Sequence, residues 1–311
     1  MNISTHDLSY SYATKQIFSE LNLTIKDSIF GLVGVNGAGK TTLVKLIVGL
    51  LQPKSGKIMI DGMDSVSHHF DILKKIGILH ESAKFPIWTR VLPYLIWVGQ
   101  IRGFSHKKAT KQALYLLDRL DLSDRQDELV QDLSAGLRQR FGIAQAVIGL
   151  PSLIIFDEPT ANLDARSRVE VLDFFHELAS EYDIHIIILS HILGDLEKYC
   201  NVIAIIDHGE IVYQSSITNL LATYEHKYYT IKYHQDNQEV VLHEIEQLGI
   251  NIKRSRDNEV EITINPDTDA LEKISQIDNI LLVPTYGKLE ELFLSITQGE
   301  SHHLTHTGGK K

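Results

Sequence analysis

Two groups of residues in this chain have the types and the spacing to handle phosphate. Gly34, Val35, Asn36, Gly37, Ala38, Gly39, Lys40 and Thr41 form the pattern GxxxxGK[ST]. The glycines let the backbone bend so that successive N–H groups point inward at phosphate oxygens, and the helix that follows presents its positive end to them. A lysine at this spacing reaches β- and γ-phosphates, and the next hydroxyl, that of Thr41, is a ligand for Mg²⁺. The second group is Asp157 and Glu158, which close the apolar run Leu153, Ile154, Ile155 and Phe156. Two adjacent acids after a strand are often only a helix cap. At the carboxyl end of a strand in an α/β sheet, where ligands bind, one acid can hold Mg²⁺ and the other can polarise water. The phosphate loop upstream makes that chemistry the expected one.

These residues need a strand–loop–helix frame, and the hydrophobic pattern supplies it. Ile29 to Val33 reads as a buried strand, and Leu43, Val44, Leu46, Ile47 and Val48 mark the helix after the loop. Lys57 to Ile60 and Ile76 to Leu79 read as strands, and Lys107 to Leu120 as a helix with Ala109, Ala113, Leu116 and Leu117 on one side. A helix-rich stretch, about residues 85–150, interrupts the α/β alternation. It resumes with the strand Leu153 to Phe156, the helix Arg166 to Leu178, the strand Ile184 to Leu189, and strands at Val202 to Ile206 and Glu210 to Tyr213. A short helix ends near Tyr224, and the composition shifts near Glu225.

Beyond that point a β-α-β-β-α-β order suggests a small ferredoxin-like α+β module over residues 225–297. Its elements are a strand Tyr228 to Tyr233, a helix Val240 to Leu248, a hairpin Ile252 to Ile264 turning at Asp257 and Asn258, a helix Ala270 to Ile277 and a strand Ile280 to Val283. A last helix, Leu289 to Ile296, precedes a polar tail, residues 298–311, expected to be disordered. The tail histidines His302, His303 and His306 lack a fourth ligand, so a solvated tail is the better reading than a metal site.

Composition narrows the class. The 311 residues suit one large and one small domain, and the 43% hydrophobic content is enough for a full core. A formal net charge of -10 argues against a broad basic face, so no nucleic-acid partner is expected. The single cysteine, Cys200, excludes an intramolecular disulfide, which fits a cytoplasmic address. No window is apolar enough to span a bilayer. The most apolar helical candidate, Val91 to Ile101, preceded by Trp88 and Arg90, reads as a core or interface helix.

Over roughly Ile3 to Gln214 the sequence resembles the nucleotide-binding subunits of the ATP-binding cassette (ABC) family, most closely exporter-type members. The segment that carries the resemblance is Leu133, Ser134, Ala135, Gly136, Leu137, Arg138, Gln139 and Arg140, which is similar to the family's LSGGQ signature. Asn162, Leu163 and Asp164 match the D-loop, and Ser190 with His191 stands where the switch histidine does. The resemblance implies a phosphate-loop ATPase fold with a helical subdomain, within a first domain of residues 1–224. It also implies ATP and Mg²⁺ as ligands. Tyr12 would stack on adenine. Gly34, Asn36, Gly37, Ala38, Gly39, Lys40, Thr41 and Thr42 would bind the nucleotide. Thr41, Asp157 and Glu81 would hold Mg²⁺. Glu158 would activate water and His191 would contact the γ-phosphate.

Two departures from the family pattern are visible. Glu81 stands where a glutamine is usual, a substitution also found in exporter-type relatives, and its carboxylate can still ligate Mg²⁺. Ala135 and Leu137 depart from the signature, while Ser134 and Gly136 keep the anion-binding helix start. The resemblance further implies a dimer of ATPase subunits, Ser134, Ala135 and Gly136 capping the ATP of the partner and Asp164 at the interface. A separate integral-membrane permease would hold the subunit at the inner face of the membrane, docking near residues 81–103, where Trp88, Tyr94 and Trp97 could line a groove. The competing reading is a soluble family member that acts as a conformational switch on a non-membrane partner.

Overall fold

The structure, a computed structural model, describes residues 1–81, 84–86, 88–224, 228–234, 237–256, 258–263, 270–275, 277, 280–284, 289 and 292–293. The chain divides into two compact units, the first Met1–Gln214 and the second starting at Ser215, earlier in the chain than the composition shift near Glu225.

The first unit opens with β1 (Ile3–Tyr12) and β2 (Lys15–Ile25), an antiparallel pair to which β4 (Ser55–Ile60) and β5 (Met63–Asp64) are added in the order β2-β1-β4-β5. Sequence reading did not find β1 and β2, and the register explains why. It shifts between Thr5 and Leu8, and again around Tyr10, so strict alternation is broken by bulges.

The central sheet has six strands in the order β10-β9-β3-β8-β7-β6. They are β3 (Ile29–Val33), β6 (Ile76–Leu79), β7 (Leu153–Asp157), β8 (His185–Leu189), β9 (Val202–Asp207) and β10 (Glu210–Ser216). From β9 to β6 the pairings are parallel. β3, β7 and β8 read as almost uninterrupted apolar runs because both faces of the sheet are covered. On one face, α1 (Lys40–Ile47) shares a core with the antiparallel sheet, through Leu43, Val44, Leu46, Phe18, Leu8, Phe30, Ile155 and Leu189. Beyond α1, α2 (His69–Leu73) precedes β6.

The helical stretch resolves into α3 (Val91–Ile101), α4 (His106–Arg119) and α5 (Ala135–Val147). Then come α6 (Ala165–Tyr182) after β7 and α7 (Leu193–Tyr199) after β8. Phe156 of β7 stacks on Phe175 of α6 at 4.1 Å, on the sheet face opposite α1.

The second unit holds α8 (Ile217–Tyr224), β11 (Tyr228–Tyr233), α9 (Gln238–Gln247), β12 (Asn251–Arg256), β13 (Glu259–Thr263), α10 (Ala270–Ser275) and β14 (Ile280–Pro284). Its sheet order β12-β13-β11-β14, antiparallel throughout, is that of a split β-α-β-β-α-β unit. Alternate residues of β11 and β13, Tyr229, Ile231, Tyr233, Val260 and Ile262, bury with Val241 and Ile245 of α9. Asn258 turns the hairpin with φ 64°, while Asp257 lies outside the described residues. Of the expected last helix only Leu289, Leu292 and Phe293 are described, and the tail with its histidines lies outside the described residues. Among the described residues no helix is long and apolar enough to cross a membrane.

Candidate active site

The loop after β3 is a cradle that only glycine can build. Gly37 and Gly39 have φ of 88° and 111°, backbone that costs an L-residue dearly. A methyl group at Gly34 would collide with the carbonyl oxygen of Ile206, and one at Gly39 would lie 2.7 Å from the Phe18 ring. Lys40 begins α1 and turns back, its Nζ donating to the carbonyls of Gly34 at 2.5 Å and Val35 at 3.3 Å. The ammonium therefore lies over the mouth of the loop. Burial lowers its pKa, and the negative charges of Glu158, Asp157 and Glu81 oppose that shift.

Strand parity decides which acid meets α1. Leu153 and Ile155 share the α1 core and Phe156 faces α6, so Asp157 returns to the α1 side. There Thr41 Oγ1 donates to its Oδ2 at 3.4 Å. Asp157 is 3% exposed, and burial raises its pKa; His80, whose Nε2 lies 4.0 Å from Oδ2, pulls it down, while Glu81 and Glu158 push it up. Glu81 is solvent-exposed just beyond β6, the strand beside β7.

Glu158 leaves β7 with φ 54°, and its amide donates to Leu189 O at 2.8 Å. Its carboxylate points to the end of β8. Oε1 accepts from the backbone N–H of His191 at 3.1 Å and lies 2.8 Å from that residue's Nδ1, while Ser190 Oγ donates to Oε2 at 3.4 Å. Lys40, Thr41, Asp157, Glu158, Ser190 and His191 thus follow the carboxyl ends of β3, β7 and β8, neighbours in the sheet. Such an edge is where open α/β sheets take ligands.

A second surface forms at the start of α5. Ser134 caps the helix, accepting from the Leu137 N–H at 3.3 Å, and both Ser134 and Ala135 are exposed. Gly136 is small for a reason inside its own chain, because a methyl group there would come within 3.0 Å of the Asn162 carbonyl. Asp164 caps α6, accepting from the Ser167 N–H at 2.9 Å and hydroxyl at 2.7 Å. Those bonds hold its carboxyl below the usual range. Among the described residues no hydrogen bond or ion pair joins Ser134, Ala135 or Gly136 to Lys40 or Thr41.

Tyr12 ends β1 and is 41% exposed, with its ring edge-on to Tyr10 at 5.0 Å. It pairs with Lys15 across a hairpin, and the following Ile17 and Phe18 lie against Gly39. Sequence reading assigned no role to three residues that brace this region. Gln139 Nε2 donates to the carbonyls of both Glu158 and Pro159 at 3.0 Å. Arg140 donates to Leu120 O and Ser167 Oγ, and Thr160 Oγ1 donates to Asp195 at 3.1 Å. Gln139 and Arg140 were visible as part of the signature-like segment, but a pattern cannot say which backbone they reach.

A phosphate cradle between β3 and α1, with two acids on the adjacent strand ends and a capped helix start exposed on α5, defines a phosphate-loop ATPase of the cassette type. The model of the family described as ABC transporter matches residues 18–161. The bacitracin transport ATP-binding protein BcrA of Bacillus licheniformis is 34% identical over 243 residues, 78% of each chain. The daunorubicin/doxorubicin resistance ATP-binding protein DrrA of Streptomyces peucetius is 25% identical over 95% of this chain and 92% of its own. The methionine import ATP-binding protein MetN of Staphylococcus saprophyticus is 31% identical over 72% and 68%. Among solved structures, the post-hydrolysis dimer of the ATP-binding cassette MJ0796 with ADP and Pi shares the fold, with TM-score 0.64 and 21% identity over 69% of this chain and 98% of that one. The chain belongs to the ABC transporter family, as an ATP-binding and ATP-hydrolysing subunit.

Proposed function

We propose that Glu158 is the general base of this ATPase and that the subunit works as one half of a dimer driving a separate membrane permease, in the direction of export. The observation that carries the reading is the Glu158 carboxylate, held 2.8 Å from His191 Nδ1 one residue beyond the Asp157 that Thr41 touches. Backbone amides of residues 34–39 receive the β- and γ-phosphates of ATP at the start of α1, with Thr42 in the same first turn. Lys40 exchanges the carbonyls of Gly34 and Val35 for phosphate oxygens, which carry full charge and bind an ammonium more strongly. Tyr12 offers its exposed face to adenine.

Thr41 Oγ1 and Asp157 Oδ2 are hard oxygen donors on one side of the cradle and would hold Mg²⁺, with Glu81 the adjacent carboxylate. Among the described residues no three His, Cys, Asp or Glu side chains form a metal cage. That fits a cation that takes only one or two carboxylates and keeps water and phosphate for its other positions. When bound, the ion would neutralise charge on the transferring phosphoryl group. Glu158 orients and deprotonates the attacking water, and His191 Nδ1 holds Glu158 until the γ-phosphate draws the imidazole away.

The exposed start of α5, with Ser134, Ala135 and Gly136, is an anion-binding helix terminus that, among the described residues, no hydrogen bond joins to Lys40 or Thr41 of its own phosphate loop. A second subunit would supply the nucleotide, with Asp164 beside the contact. Trp88 and Trp97 are 77% and 55% exposed around a Tyr94 packed on Phe141, which suits a permease segment docking on the helical subdomain at the membrane's inner face. Export rests on Glu81 and on the likeness to DrrA along nearly the whole chain.

Glu158→Gln tests the assignment. Steady-state hydrolysis should fall by about 100-fold or more, while ATP still binds and ATP-dependent dimerisation, read by light scattering, persists. Hydrolysis near the wild-type rate in that variant would refute it.

A further inference from the structure

We infer that Gln139 is a positioning residue that ties the catalytic carboxylate of each subunit to the state of the same subunit's α5, whose start faces the opposite nucleotide. The inference rests on the reading of Glu158 as the general base. Three observations carry it.

Glu158 sits at φ 54°, a left-handed conformation that a non-glycine residue keeps only where the surroundings over-determine it. Its amide is fixed from one side, by Leu189 O of β8 at 2.8 Å. Its carbonyl, and that of Pro159, are fixed from the other side by the single amide group of Gln139, at 3.0 Å each. A carboxamide carries two donor hydrogens, so the two carbonyls use its whole donor capacity.

Gln139 is also in the second turn of α5, whose first turn is Ala135 to Arg138, capped by Ser134. A helix moves as a rigid piece over one or two turns, so a shift of its start toward an anion displaces the Gln139 amide with it. Neighbouring bonds reinforce the link. Arg140, the next residue, donates to Ser167 Oγ, which in turn donates to Asp164, and Gly136 lies against the Asn162 carbonyl. The start of α5, the loop from Asn162 to Asp164 and the turn at Glu158 are therefore one bonded assembly. Engagement of Ser134 on one nucleotide is transmitted through Gln139 to the aim of Glu158 at the other.

The test uses purified full-length chain and three substitutions of similar length. Gln139→Met removes the donors, Gln139→Glu sets acceptors against two carbonyls, and Gln139→Lys restores a donor to them. The inference expects kcat to fall about 10- to 100-fold in the Met and Glu variants, the scale of a misplaced catalytic group. The KM for ATP should stay within about twofold, and Lys should recover most of kcat. Each variant is also melted without nucleotide, so that loss of folding is read apart from loss of rate. Wild-type kcat in the Met variant, or Lys as impaired as Met at equal melting temperature, overturns the inference. So does a fall in kcat matched by weakened ATP binding. If Glu158→Gln is inactive while Gln139→Met is fully active, only the inference fails; if Glu158→Gln still turns over, the reading beneath it fails.

Discussion

Replacing Arg140 by methionine should cost the first unit about 2–4 kcal/mol, and the figure can be built from its contacts. The guanidinium is 7% exposed. It donates through one terminal nitrogen to the Leu120 carbonyl at 3.0 Å, and through the other to Ser167 Oγ at 2.5 Å. Leu120 is the C-cap of α4, so its carbonyl has no helical partner, and stranding it in a buried place costs about 1–3 kcal/mol. Ser167 loses an acceptor contact but still donates to Asp164, so its share is about 1 kcal/mol. The ion pairs add little. Asp121 lies at 3.6 Å with a side chain 87% exposed, and Glu170 at 3.5 Å is already engaged by Arg166. Exposed pairs of that kind contribute well under about 1 kcal/mol. Methionine keeps the aliphatic stem, so packing losses are small. For a unit of this size, Met1–Gln214, the sum lowers the melting temperature by about 10 °C. Differential scanning calorimetry of the nucleotide-free chain reads it directly. Arg140→Lys, which keeps the charge but loses the forked guanidinium that spans the two acceptors, should fall between. A shift under about 2 °C for the methionine variant would mean that water satisfies Leu120, and the bracing role would be refuted.

The phosphate loop and its acids give two further tests. Gly37→Ala and Gly39→Ala both place a side chain at positive φ, at a cost of about 1–2 kcal/mol each. Only Gly39 also has the Phe18 ring in the way. Urea denaturation without nucleotide should therefore rank Gly39→Ala as the less stable, and equal losses would contradict the cradle geometry. Asp157 has a raised folded pKa. Between the ordinary aspartate value and that raised one, the folded chain holds a proton that the unfolded chain has released, so stability falls as pH rises through this window. Asp157→Asn should abolish that decline, melt higher than wild type at neutral pH, and hydrolyse ATP about 100-fold more slowly. A wild-type pH profile of stability in the variant would remove Asp157 as the cause.

Much of this site was legible because its elements are local. The phosphate loop is one contiguous segment whose glycines answer to backbone constraints, and β3, β6 and β11 have the bounds that their apolar runs predict. Asp157 and Glu158 could be placed at a strand end for the same reason, and period-two alternation then settles which of them meets Thr41. What escaped the sequence is non-local or irregular. The bulges of β1 and β2 erase alternation. The bonds from Gln139 to Glu158 and Pro159 span about twenty positions and end on carbonyls, which every residue type has. Sequence pattern records which side chains are present, and a side chain whose partner is backbone leaves no second residue to notice.

The clustering of charge explains why the first turn of α1 is arranged as it is. Asp157 is buried, Glu81 and Glu158 both act on it to raise its pKa, and His80 and Lys40 act the other way. Yet Lys40 Nζ bonds to two loop carbonyls and to none of these three acids. A lysine bonded to Asp157 would lower the energy of the nucleotide-free state, but it would have to break a buried ion pair before meeting a phosphate, which costs several kcal/mol. Bonded to neutral carbonyls, it exchanges weak partners for charged ones when ATP arrives. In the nucleotide-free chain the repulsion among the carboxylates is offset only in part, by His80 and Lys40. A carboxylate kept buried at this cost lowers the stability of the nucleotide-free fold. The gain in stability expected for Asp157→Asn, together with its loss of hydrolysis, is the measurable form of that cost.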